Sequence, residues 1–439
     1  MRLKKLTLSN YRKFTSYEVA FDDQVTVLVG GNGSGKSSLL DAASVALGSF
    51  LVKMDGVCGI SLHPSDAHLN YYVQGSVIDS QPQYPVTVSA EGIVRGEQVS
   101  WARSLNSDIG KTTTGDAREL TSLSLQYLMD VREGRTQPPL PIIAYYGTGR
   151  LWLQKREKAR AGKSLVKFNR LDGYVDCLDS ASNTKFMLAW FQKMTLQEFT
   201  SGERSPELVA VRGAIEKCLN LILGGSRADD SKGILSPDSR VSFNPDTHDL
   251  DVTYADSAGE RRSDALQSMS DGYRSTLSMV ADIAYRMALL NPALLDAVLE
   301  TPGVVLIDEV DLHLHPLWQA RILGDLRSIF PNVQFIVSTH APMVISSVPS
   351  RNIRVLGEGR AEEPPCESFG LGANDVLTGI MGSSDRQPRV DALFDRFSDQ
   401  LAQGDYDASE RTLSELEALV GSSNPDLVAA RSELFFERL

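Results

Sequence analysis

The chain of 439 residues is 42% hydrophobic, 23% charged and 7% aromatic, proportions of a folded globular protein that exclude disordered and fibrous classes. Its 44 basic and 56 acidic residues leave a formal charge of -12, so the bulk field repels phosphate backbones, and any DNA contact needs a local patch or a partner. No apolar run approaches the roughly 18 to 20 residues that span a bilayer, and MRLKKLTLSNYRKF lacks the apolar core of a secretory signal; a cytoplasmic protein with no membrane contact is expected.

Leu3, Leu6 and Leu8, then Val19 and Phe21, read as short strands leading into the apolar run 25–29. GGNGSGKSS follows, and Leu39, Leu40, Ala42, Ala43, Ala46 and Leu47 continue as a helical face, so the order is strand, glycine loop, helix. Residues 84–103 alternate around Gly92 and Gly96 like antiparallel strands, a helix is predicted near 116–133, and PPLPIIAYYGTGR reads as a proline-bounded strand. Residues 150–170 carry eight Lys or Arg against one acid, Glu157, a stretch that suits either DNA or a partner-facing surface. Helical patterns at 184–199 and 206–223 precede GGSRADDSKG, a predicted loop.

Strands near 241–254, a helix at 272–290, the apolar run 304–307, a helix near 316–329 and the strand 333–337 then suggest a parallel α/β core. From about 373 the chain reads as helical, with Leu401, Leu413, Leu416, Leu419 and Val420 on apolar faces and Pro425 starting a helix. The expected organisation is a core of 1–49 and 236–357, an insertion of mixed β and helical structure at 50–235, and a mainly helical region, 358–439, that docks a partner or builds an oligomer.

Gly30, Gly35, Lys36 and Ser37 fit GxxxxGK[ST] without deviation. Glycines let backbone N–H groups turn toward phosphates, a lysine reaches the terminal phosphates, and a serine hydroxyl can join Mg²⁺. Asn32, Gly33, Ser34, Gly35, Lys36, Ser37 and Ser38 are therefore the expected nucleotide contacts. Asp308 and Glu309 end the run 304–307: Asp308 suits a direct or water-mediated Mg²⁺ partner, as does Ser37, and Glu309 a group that polarises an attacking water. His340 ends 333–337, where a strand end places it to sense the terminal phosphate. His313 and His315 lack further His or Cys to complete a zinc set.

In their order, LVGGNGSGKSS, SMSDGYRS, VVLIDEVDLHLHP and VSTHAP resemble the ABC-type ATPase head shared by the RecF and SMC-like class. The resemblance covers about 1–48 and 240–357. It implies ATP and Mg²⁺ as ligands, catalysis by Glu309 and His340, and an ATP-dependent homodimer or larger oligomer in which Ser270 and Gly272 bind the nucleotide of the opposite subunit. It also implies that Asp311 and His313 belong to the subunit contact, and that Arg12 and Lys13 of YRKF lie near the nucleotide, the alternative being solvated charges on a turn. SDGYR departs from the commoner SGGE or SGGQ, and only Gln126 and Gln154 offer themselves as a Q-loop glutamine.

Residues 50–235 show no sustained heptads, which excludes a long coiled coil. The helical end excludes an appended TOPRIM nuclease despite Glu358 and the Asp405–Asp407 pair. YYGTGRLW, VDLHLHP, FGLGANDVLTGIMG and the final DYDASERTLSELEALVGSSNPDLVAAR are similar to the PtuA-type ATPase subunits of Septu and retron anti-phage systems. That resemblance implies an ATP-hydrolysing sensor or regulatory subunit controlling a separately encoded HNH nuclease; the alternatives are a RecF-like DNA-repair ATPase and a nucleotide-locked scaffold with little turnover.

Overall fold

The computed structural model describes residues 1–57, 59–74, 77–151, 168–179, 184–223, 239–255, 260–384 and 386–438. Gln154, most of the basic stretch 150–170 and the GGSRADDSKG segment lie outside them. The chain divides into two units, Met1–Leu371 and Gly372–Leu439.

The first unit opens with the antiparallel pair β1 (Arg2–Tyr11) and β2 (Phe14–Ala20), whose Leu3, Leu6, Leu8, Tyr17 and Val19 are buried. All five residues of β3 (Val25–Val29) are buried, as a strand flanked on both faces requires. Helix α1 (Lys36–Leu51) is buried at thirteen of its sixteen positions, because it lies between two sheets. A hairpin of β4 (His68–Gln74) and β5 (Val77–Gln83) stands as a two-stranded sheet. Strands β6 (Val86–Val94) and β7 (Glu97–Leu105) complete the first sheet in the order β2-β1-β6-β7, and Trp101 Nε1 donates to Ala46 O of α1 at 2.9 Å. Helix α2 (Arg118–Arg132) packs on α1 and β7.

Strand β8 (Ile142–Tyr146) precedes α3 (Thr184–Ser201), α4 (Pro206–Leu223) and a small sheet of β9 (Arg240–Asn244), β10 (Asp249–Ala255) and β11 (Arg261–Ala265). The long helix α5 (Asp271–Leu290) packs on α4 and β8. Strand β12 (Gly303–Ile307), short α6 (Pro316–Gln319), α7 (Ile322–Ile329), β13 (Val333–Ser338), short α8 (Pro342–Ile345), β14 (Ile353–Leu356) and β15 (Ala361–Glu362) finish the unit. The main sheet runs β15-β14-β3-β13-β12-β8, parallel except for β15. It is a mainly parallel α/β sheet, and a helical C-terminal unit follows it in the chain.

Three expectations change. Residues 50–235 are not a body apart from the core: β8 pairs in parallel with β12 from Gly303↔Ile142 to Ile307↔Tyr146, and β6 pairs with β1. An apolar run shows that a strand is buried but carries no label for a partner far along the chain. The C-terminal unit starts at Gly372 rather than at the expected bound of 358, since β15 still belongs to the sheet, and its helices begin at Ala373, where the helical reading begins. The helix read across 316–329 is also two, α6 and α7, separated by Arg321 at φ -120.

The second unit holds α9 (Ala373–Gly379), α10 (Pro388–Ala402), α11 (Tyr406–Val420) and α12 (Pro425–Glu437). Leu393, Phe397, Leu413, Leu416, Leu427, Ala430 and Leu434 make its core. Asp405 caps α11 and Asn424 caps α12 ahead of Pro425, so Asp405 has a structural task.

Candidate functional site

The carboxyl ends of β3, β13, β12 and β8 lie side by side in the sheet, the edge where α/β proteins place ligands. They carry the glycine loop, Ser338–Thr339–His340, Asp308–Glu309 and the segment 147–150 respectively.

The loop turns through Gly33 at φ 74 and Gly35 at φ 104, where an L side chain is strained. A Cβ on Gly35 would also meet the Phe14 ring at 2.4 Å. Lys36 begins α1 with its ammonium folded back onto the loop, donating to Gly30 O at 2.8 Å and Gly31 O at 3.1 Å. Burial lowers its pKa, against the pull of Asp308, Glu309 and Asp311. Asn32 and Gly33 are exposed, Ser37 is exposed, Ser38 is half-buried, and Ser34 Oγ is buried with no partner. An orphaned hydroxyl in a loop of turned backbone is the chemistry that a phosphate oxygen would satisfy.

Asp308 is buried and Glu309 half-buried. Ser338 joins them: its hydroxyl donates to Asp308 Oδ1 at 2.5 Å and accepts from Glu309 N at 2.8 Å. Thr339 Oγ1 likewise donates to Asp311 Oδ1 at 2.5 Å and accepts from Ala341 N. Glu309 sits at φ 48, a left-handed conformation costing a non-glycine residue about 1–2 kcal/mol. His340 follows, half-buried.

Sequence reasoning missed Arg150. This 8%-exposed arginine donates to Gly147 O (3.2 Å), Asp308 O (2.8 Å), Glu309 O (2.9 Å) and Ser275 Oγ (2.9 Å). Burial lowers its pKa to about 10, so it stays charged at neutral pH. Only the GTGR ending hinted at it, because its partners are mostly carbonyls, which every residue has. Nearby, Tyr146 Oη donates to Asp282 on α5, which also accepts from Arg286, and Tyr145 Oη donates to Asp41 on α1 at 2.8 Å.

Gly272, one residue into α5, lies against the loop after β12: a Cβ there would stand 2.4 Å from His313 O. Exposed Ser270 precedes the helix without a side-chain capping bond. His313 is exposed at φ 63, while His315 caps α6 through Nδ1, and among the described residues no group of three or more His, Cys, Asp or Glu is placed to hold a metal ion. Arg12 reaches two carboxylates, Asp41 at 2.5 Å and Asp66 at 2.9 Å, and Lys13 Nζ donates to Gly33 O at 2.8 Å. Burial pulls the Arg12 pKa down, but Tyr11, Asp41 and Asp66 outweigh it and leave it raised. Of the two basic residues, Lys13 therefore touches the glycine loop, and Arg12 is held one turn along α1. Gln126 is on the exposed side of α2 with no place in this edge, and Glu358 lies in the turn between β14 and β15.

Family models fit this arrangement in two stretches: one described as "AAA domain" over residues 5–222, the other as "AAA domain, putative AbiEii toxin, Type IV TA system" over 226–346. The Retron Vc95 probable ATPase of Vibrio cholerae serotype O1 biovar El Tor is 26% identical over 93% of this chain and 85% of its own. The Retron Ec83 probable ATPase of Escherichia coli is 26% identical over 88% and 77%, and the Septu protein PtuA of Bacillus mycoides 33% over 30% and 19%. The chain is homologous to these retron and Septu proteins. The SMC head domain from Thermotoga maritima overlaps 84% of this ATPase homologue and all of its own chain at 18% identity, with a TM-score of 0.40, too loose a likeness to argue from. Among the described residues no helix is long and apolar enough to cross a membrane.

Proposed function

We propose that the chain binds and hydrolyses ATP as the sensor or regulatory subunit of an anti-phage defence complex, and that it controls a separately encoded HNH nuclease. The observation that carries the ATPase part is the junction of Asp308, Glu309 and Ser338 beside the strand that ends in the Lys36 loop. The defence part is supported by similarity to retron ATPases along most of the chain.

Loop N–H groups from Asn32 to Ser38, with Lys36 and Lys13, hold the phosphates. Ser37 and Asp308 would hold Mg²⁺, which when bound neutralises phosphate charge. Glu309 accepts the proton of the attacking water, and His340 senses the terminal phosphate. Ser270 and Gly272 complete the site of a second copy, with Asp311 and His313 in that contact. The close approach of Gly272 to His313 O supports placing both in one surface.

Lys36→Ala is expected to lose ATP binding, whereas Glu309→Gln retains ATP and hydrolyses it about 10² to 10⁴-fold more slowly. Ser270→Arg mixed with Lys36→Ala subunits should regain hydrolysis through one intact composite site. Retention and phosphate release measured in parallel decide it: normal turnover by Glu309→Gln removes its role, and heterodimers without recovery remove the shared site. Co-purification with the neighbouring gene product, with and without residues 372–439, tests the nuclease.

A further inference from the structure

The guanidinium of Arg150 is almost wholly buried, yet among the described residues none of its hydrogen bonds reaches a carboxylate. A buried charge normally needs an ion partner; here three carbonyls and one hydroxyl take the hydrogen bonds, and Asp308, Asp311 and Glu309 favour the charge only through space, without outweighing burial. The arrangement is costly, so what it holds in place is informative.

In an extended strand successive carbonyls point to opposite sides. Leaving β12, the carbonyls of Asp308 and Glu309 instead both face Arg150, at 2.8 and 2.9 Å, and the left-handed turn at Glu309 is what brings them together. On the other side of the same residue, Ser338 Oγ accepts from Glu309 N. The backbone of Glu309 is thus pinned from β13 through its N–H and from the segment after β8 through its C=O. Besides its local bond to Gly147 O, Arg150 donates through Nε to Ser275 Oγ on a different element, α5, whose first turn carries Gly272 against the loop after β12. One planar fork therefore joins the backbone that aims the Glu309 carboxylate to the helix that starts at Asp271.

We infer that Arg150 is a positioning residue for hydrolysis, setting the backbone of Glu309 according to where α5 stands. Its action passes through Glu309. A displacement of α5 would pull on Ser275, tilt the fork and move the carboxylate that polarises the water. This deepens the ATPase reading above and rests on Glu309 having that role.

Arg150→Lys keeps the charge but replaces the fork with one compact ammonium, unable to span Asp308 O, Glu309 O and Ser275 Oγ together. The expected result is ATP affinity within about 3-fold of the parent and single-turnover phosphate release slowed roughly 10- to 100-fold, the scale of a misplaced catalytic group. Ser275→Ala keeps the arginine on Glu309 and cuts only the link to α5, so it should slow release by about 3- to 10-fold, again with affinity unchanged. In a Glu309→Gln background, Arg150→Lys should add no further loss, because its effect passes through that carboxylate. Thermal melts accompany each variant, and if Arg150→Lys does not fold, Ser275→Ala decides alone. Normal turnover in a folded Arg150→Lys protein, or in Ser275→Ala, overturns the inference when Glu309→Gln is inactive. So does a full additional loss in the double variant. Normal turnover by Glu309→Gln would instead overturn the reading of Glu309 beneath it.

Discussion

The parallel sheet and the C-terminal helices solve the same problem of burial in opposite ways. In β3, β12 and β13 every residue is buried, whereas α10 buries only Leu393 and Phe397 of its fifteen. The sheet is enclosed on both faces, so its only outlets are strand ends, and Lys36, Arg150, Asp308 and His340 all sit at or beside one edge. The helices keep a thin apolar stripe inward and exchange charges on the surface, as in Arg396 with Glu415, Arg431 with Glu417 and Arg386 with Asp426. A residue's tolerance to change should follow from which of these two designs it serves.

The largest effect is expected at Gly303. A Cβ there would stand 1.9 Å from Ile142 O, a backbone atom of the neighbouring strand with no rotamer to adopt. Gly303→Ala should cost about 3 kcal/mol or more, read as a lowered melting midpoint and poor soluble yield, and a normal melt would show that β8 can shift away from β12. Leu416 comes next: fully buried in the helical core, it should cost that unit about 2–5 kcal/mol when changed to Ala. Hydrogen exchange should quicken across 388–437 and stay unchanged in β12 and β13; faster exchange in both would deny the two units their separate stability. The smallest effect is at Arg438, whose partners Asp407 and Glu410 are exposed, so that Arg438→Ala should cost under about 1 kcal/mol. A larger shift in a chemical melt would make that pair part of the fold and not of its surface.

What could be read from the sequence follows the same division. The glycine loop was legible because its chemistry needs particular residues at fixed spacing, and Asp308–Glu309 because two acids after a wholly apolar run have few structural uses. The tail helices were legible from their apolar spacing and from Pro425. Pairing is not: residues 142–146 read as a buried strand, but nothing in them names β12, so by sequence they belong with an insertion instead of the sheet. Nor did residues 320–321 carry a glycine or proline to mark the break between α6 and α7. Arg150 stayed hidden because it recognises backbone, and Gly272 showed itself only as part of a motif until the 2.4 Å approach of His313 O explained the glycine.

The position of β3 also sets a timetable for synthesis. Its two neighbours in the sheet are β13 and β14, so neither flank of the strand behind the glycine loop exists until residues 333–356 have been made. At about 5 to 20 residues per second, the strand leaves the ribosome roughly 15 to 60 s before it can be paired. For that interval VTVLV is an unpaired apolar segment with two open edges, the kind that associates with other chains. A newborn chain therefore passes this stage before the sheet that will cover the strand exists, and chaperones are the natural cover for it.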